Sequence, residues 1–189
     1  MLKYLNGIFM AFALSASLFT GRCLAAKDDG FGFSHKIESR YFTIYYALQL
    51  DPEELAAGLD IRPQDVIISG GPYQNNLAGL IDTLFSQICD ILDMHLYSYH
   101  GNIKIGRDLN QINTVYNNLF EKQLVKSHSF YSYDLNTVYI SAEHFNREVL
   151  GHEIGHAIIS HYFVVLPSVK IQEVLAAFVE FQLRKSSGK

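Results

Sequence analysis

His152 and His156 stand four residues apart in the segment Leu150-Gly151-His152-Glu153-Ile154-Gly155-His156. On a helix that spacing places them one turn apart on one face, where both imidazoles can reach a single zinc ion with bonds of ~2.0–2.1 Å. Glu153, beside the first histidine, can reach a water on that ion without itself binding it. The ion brings the water's pKa toward ~7, and Glu153 takes its proton as it attacks a carbonyl. The chemistry this pattern points to is zinc-assisted hydrolysis, with Glu153 as general base.

A catalytic zinc takes three protein ligands and keeps one open position. His161 does not qualify on a regular helix, because it is turned roughly 140° from His156 at ~100° per residue. The extended pattern with Gly and His three and six residues after the second histidine also fails, since Ile159 and Tyr162 occupy those positions. Glu173 fits by height. His156 lies ~9 Å below the end of its helix, and Glu173 lies ~7.5 Å into the next helix, so an antiparallel pair brings them level. Glu180, two turns further along the same face, sits ~10 Å from that level and reads as a supporting or surface residue.

The pair His152-Glu153-Ile154-Gly155-His156 and Gln172-Glu173-Val174-Leu175-Ala176-Ala177-Phe178 resembles the gluzincin-type HExxH zinc metallopeptidases, most of all the small bacterial peptidase MA-like proteins. In those a second helix carries a Glu with an Ala three residues later and then an aromatic, the register of Glu173, Ala176 and Phe178. The common Trp-Leu-x-Glu-Gly form is only partly kept, with no Trp and with Val174 in place of the Gly. The match covers residues 137–181. The resemblance implies one zinc ion on His152, His156 and Glu173, Glu153 as base, and a peptide or protein substrate. It also implies that the strand at 136–141 lies at the cleft rim and pairs with an extended peptide.

These residues need a frame, and the hydrophobic pattern supplies one. Residues 41–46 (Tyr-Phe-Thr-Ile-Tyr-Tyr) read as a strand and Pro52 opens a short helix; residues 66–68 read as a further strand. Leu77, Leu80, Ile81, Leu84, Phe85, Ile88, Ile91 and Leu92 recur at steps of three and four, which predicts a long core helix. Residues 102–106 alternate as a strand, and Asp108 is placed to cap a polar helix. Residues 129–133 and 137–141 flank an Asp134-Leu135-Asn136 turn as a hairpin. Helices follow over 146–161 and 168–184. The fold class is α+β: a single zincin-like domain with a small mixed sheet, an HExxH helix, and an antiparallel helix carrying the third ligand. In the last helix Val174, Leu175, Ala177, Phe178 and Phe181 read as the core face, and the apolar link Phe163-Val164-Val165-Leu166-Pro167 reads as packing, with an apolar substrate pocket or a membrane contact as the alternatives.

Before this domain, Lys3, the apolar run 8–19 and the small residues at 25–26 have the layout of a secretory signal, too short for the ~20 apolar residues of a bilayer span. Residues 1–25 are assigned to that signal and residues 26–189 to the metallopeptidase domain. The expected location is periplasmic or secreted, with no stable membrane span after cleavage. Of 189 residues 49% are hydrophobic and 18% charged, the balance of a folded chain with a core. The net charge of −4 becomes −6 once Lys3 and Arg22 leave with the signal, which excludes the cationic field of a nucleic-acid binder. Cys89, left alone among apolar neighbours, reads as a packed hydrophobe.

The remaining histidines, His35, His95, His100 and His128, read as surface or packing residues; His144 is a candidate for support of His152, and Glu148 either orients the His152 ring or, the preferred reading, is a solvated helix residue. An oxyanion donor is expected among the tyrosines, Tyr139 and Tyr162 included. The function this adds up to is a secreted zinc metallopeptidase. Two alternatives stand beside it: a zinc amidase acting on cell-wall peptides, and a catalytically idle, zinc-stabilised periplasmic module that binds proteins. A deformylase-like site would need Cys in a Glu-Gly-Cys context, whereas Cys89 lies in Gln87-Ile88-Cys89-Asp90.

Overall fold

Alternation along the strands divides the apolar residues between two sheet faces. A computed structural model describes residues 29–61, 76–124 and 127–186. The signal assigned to residues 1–25 and the strand expected at 66–68 lie outside the described residues. Among these there are five strands, β1 (Ser34–Glu38), β2 (Phe42–Ala47), β3 (Gly101–Gly106), β4 (Ser129–Ser132) and β5 (Thr137–Ser141). The α-helices are α1 (Pro52–Gly58), α2 (Leu77–Leu92), α3 (Leu109–Phe120), α4 (Arg147–Tyr162) and α5 (Val169–Ser186). The architecture is α+β around one mixed sheet, in the order β1-β2-β3-β5-β4. Its β2-β3 and β3-β5 pairs are parallel, and its two outer pairs are antiparallel.

On one face, Phe42, Ile44, Ile103, Ile105, Val138 and Ile140 join the apolar sides of α2 and α4 in the main core. On the other, Phe130 and Tyr139 meet Phe31 of the amino-terminal segment and Ile112 and Val115 of α3 in a smaller one. Asp29 ties that segment down: its carboxylate accepts from the Lys104 ammonium and from the Tyr139 hydroxyl (2.6 Å), and also from the Phe31 N–H (3.0 Å). Burial pushes the Asp29 carboxyl up, but these donors outweigh it and hold it below the ordinary carboxylate range.

The helix starts follow their cap residues. Asn76, Asp108 and Asn146 each accept a backbone N–H three residues on, at 2.8, 2.8 and 2.9 Å, so α2, α3 and α4 begin where the sequence predicts. Helix α4 packs on α2, α5, β4 and β5 and is buried on nearly every side. It accepts α5 closely because it carries glycine at the contact. A Cβ at Gly151 would come within 2.3 Å of Leu183 Cδ1, and Gly155 faces Ala176.

Four expectations need correction. Strand β1 has no counterpart in the sequence reading, because Ser34-His35-Lys36-Ile37-Glu38 is a polar, half-exposed edge without a hydrophobic alternation to mark it. The core face of α5 is Ala176, Val179 and Leu183, while Val174, Phe178 and Phe181 point to solvent. The Phe163–Leu166 link is exposed, not packed, since α4 ends at Tyr162 and α5 turns back before the link reaches the core. Strand β5 is wholly buried and paired on both sides, so the sheet's free edge beside α4 is β4, not the strand at 136–141.

The α4–α5 contact at Gly155 is open to test. Ala176→Leu inserts a branched side chain against Gly155, where there is no room for it. It is expected to cost about 1–3 kcal/mol, read as a lower Tm, and to weaken metal binding through Glu173 one turn away.

Candidate metal centre

Helix α4 presents His152 and His156 on one side, and α5 presents Glu173 at their level, as the antiparallel height argument requires. The His152 Nε2 and His156 Nε2 atoms are 3.3 Å apart. Glu173 places Oε2 3.7 Å from the first and Oε1 3.6 Å from the second. A tetrahedral ion with bonds of ~2.0–2.1 Å holds its donor atoms ~3.3–3.4 Å apart, the separation of the two imidazole nitrogens, and the Glu173 oxygens stand slightly farther off, so the three side chains form a candidate metal-binding triad. Among the described residues this is the one cluster of three such ligands. Burial, and then the neighbouring His152 ring, lower the His156 pKa against the opposing pull of Glu173, favouring the neutral imidazole that binds metal.

His152 Nδ1 is buried and without a hydrogen bond, and the nearest acid to it is Glu180, whose Oε2 lies 3.6 Å away. The other oxygen of Glu180 accepts from Arg184, one turn on, which aims the carboxylate. An unsatisfied ring nitrogen facing a carboxylate is what a metal-bound imidazole needs behind it. Glu180 therefore takes the supporting position; Glu148 does not, and His144 lies elsewhere. His144 stacks on His128 with ring centroids 3.5 Å apart, bracing the chain before β4 against the turn before α4. His161 sits at the helix end with Nδ1 donating to the Ala157 carbonyl (2.9 Å) and its ring edge-on to Tyr99, away from the cluster.

Glu153 is 6% exposed, and its Oε1 accepts a 2.7 Å hydrogen bond from Ser129 Oγ at the start of β4. Burial pushes its pKa up to about 7; the nearby Glu173 adds to this, and Ser129 and the Tyr131 backbone hold it down. Above the four residues opens a cleft of about 530 Å³ with Tyr116, Leu124, Tyr131, Tyr133 and Leu166 in its walls. A larger hollow, about 720 Å³, lies across the sheet around Lys104 and Asp29, whose charges already satisfy each other.

Sequence reasoning missed Ser129 and the walls from β4. Nothing in local spacing links residue 129 to residue 153; only the sheet order brings them together. Neither tyrosine named as an oxyanion donor reaches the cleft. Tyr139 is buried on the far face with Asp29, and Tyr162 lies past the metal-binding turns; Tyr116, Tyr131 and Tyr133 are the tyrosines that line it. Cys89 is buried, and burial pushes its thiol up to about 11, so it is no nucleophile. No family model, curated protein or solved structure matches the chain.

Metal analysis distinguishes the two α5 carboxylates. Glu173→Ala is expected to abolish stoichiometric zinc binding, whereas Glu180→Gln lowers affinity about tenfold and leaves the fold intact. Loss of zinc from a Glu180→Ala variant alone would reverse the ligand assignment. Zinc addition is expected to raise the Tm of wild type but not of Glu173→Ala.

Proposed function

We propose that the chain is an exported zinc metallopeptidase with a zincin-like arrangement of its HExxH helix, third-ligand helix and edge strand. The observation that carries this reading is Glu153. It is a buried carboxylate beside the histidine pair that is not among the three converging donors, and Ser129 holds it facing the cleft. Burying a carboxyl costs free energy that a purely structural metal site has no reason to spend, since such a site needs ligands and no base. A zinc ion on His152, His156 and Glu173 supplies Lewis-acid polarisation of water and of a substrate carbonyl.

The chain's own groups then divide the work. Glu153 accepts a proton at the carboxylate oxygen not held by Ser129 and returns it to the leaving amine. Glu180, 3.6 Å from Nδ1, stands where a small shift would let it accept from the His152 ring and orient it. Strand β4 ends the sheet on this side; Ser127 Oγ takes up the Ser129 N–H and C=O and the Tyr131 backbone bonds Glu153, so an extended peptide would lie along this edge without a full row of ladder bonds. That edge strand beside the cleft favours a peptide over a small amide, and the walls of Tyr116, Leu124, Tyr133 and Leu166 suit an apolar or aromatic side chain.

The deciding experiment is Glu153→Gln assayed with zinc-loaded protein on a peptide library. Retained zinc and fold with cleavage reduced by about 10²–10⁴ supports the enzyme. A zinc-loaded wild type that cleaves nothing returns the site to the idle binding module.

A further inference from the structure

We propose that the tip of the α4–α5 hairpin and the outer face of α5 form a docking surface for anionic lipid membranes. Ten of the fifteen strongly exposed large apolar side chains among the described residues fall between residues 162 and 181, so the exposure is one patch rather than scatter. Along α5 it is a stripe: Ile171, Val174, Phe178 and Phe181 follow one another at steps of three, four and three on one side, opposite the packed Ala176, Val179 and Leu183. At the helix entry it continues into the Phe163-Val164-Val165-Leu166 tip, where Val164 is wholly exposed and Val165 is 82% exposed.

Shape and charge select the occupant. A protruding apolar tip suits a layer that closes around it; a peptide or helix partner would need a groove. Both acids of α5 are committed to the metal centre, Glu173 beside the two imidazoles and Glu180 between His152 and Arg184. The outward side is left with Lys170 at one end and Lys185 at the other, both exposed, in a chain whose net charge is −4. An apolar stripe flanked by lysines, with no outward carboxylate, is the pattern of a helix lying in the headgroup region of an anionic bilayer, the lysine stems reaching up to the phosphates. The same charges disfavour a second copy as the occupant, because antiparallel pairing of two stripes brings Lys170 of one to the Lys185 end of the other. No described helix is long and apolar enough to cross a membrane, so the contact lies in the surface. Leu166 belongs both to the tip and to the cleft wall, so docking sets the metal centre against the bilayer.

The proposal is independent of catalysis and is tested without an activity assay. The chain contains no tryptophan, so Val165→Trp in the full chain places a single indole fluorophore at the tip. Its emission is expected to shift to the blue on adding vesicles of phosphatidylcholine with phosphatidylglycerol, and to be quenched by lipids brominated near the headgroup. In cosedimentation, Val164→Asp with Val165→Asp is expected to weaken vesicle binding by about tenfold or more. Lys170→Glu with Lys185→Glu is expected to weaken binding to the anionic vesicles by about fivefold per lysine, while leaving weak binding to pure phosphatidylcholine unchanged. Unchanged melting temperatures show that the substitutions spare the fold. Indole emission from the Val165→Trp variant that does not respond to vesicles overturns the proposal. So does binding that survives both double variants, which would assign it to the amino-terminal apolar run, or a dimer abolished by the valine substitutions in a chain that binds no vesicle.

Discussion

The metal centre depends on how closely two helix backbones approach. For one ion to be held, donors on α4 and α5 must converge within a few ångströms, and a carboxylate of glutamate length reaches the imidazoles only if the helices pack nearly in contact. Gly155 against Ala176, and Gly151 beneath Leu183, provide that approach. The placement of the α5 carboxylates follows from it. Glu173 arrives level with His156, Glu180 arrives behind His152, and the Phe163–Leu166 link is forced into a short exposed turn, because the two helices lie too close to leave space under it.

The second constraint is the sheet edge. Strand β4 is antiparallel to β5 and closes the sheet on the side where α4 crosses, so Ser129 can reach Glu153. This bond serves two purposes. It satisfies one lone-pair direction of a carboxyl taken out of water, and together with the Tyr131 backbone it holds the carboxylate beside the histidine pair. The stacked His128 and His144 rings, one on each side of this junction, hold the entry of β4 in register with the turn that starts α4.

How much of this was legible in the sequence follows from how local each feature is. The imidazole pair and the level of Glu173 could be read directly, because helical rise and turn are fixed and the intervening link is short. The Asp108 cap was equally local. The facing of α5 was misread because that helix carries two apolar stripes with the same period: Val174, Phe178 and Phe181, and Ala176, Val179 and Leu183. Hydrophobicity favours the first, but it is the second, with the small Ala176 at its centre, that packs on Gly151 and Gly155 of α4. The choice between β4 and β5 as the free edge was beyond sequence, since both strands of the hairpin look alike and the partner that covers β5 is β3, which precedes the hairpin by a whole helix. Strand β1 escaped because an edge strand needs no apolar alternation.

Ten of the sixteen residues of α4 are buried, against three of the eighteen in α5. Burial of this kind makes α5 the element cheaper to undock, and α4 the one whose amides are slower to exchange. If the three side chains hold an ion, the histidine pair would be a half-site that persists when α5 lifts, and Glu173 the ligand that comes and goes. Ion capture would then be sequential, two imidazoles first and the carboxylate last, with release set by how often α5 leaves the surface of α4.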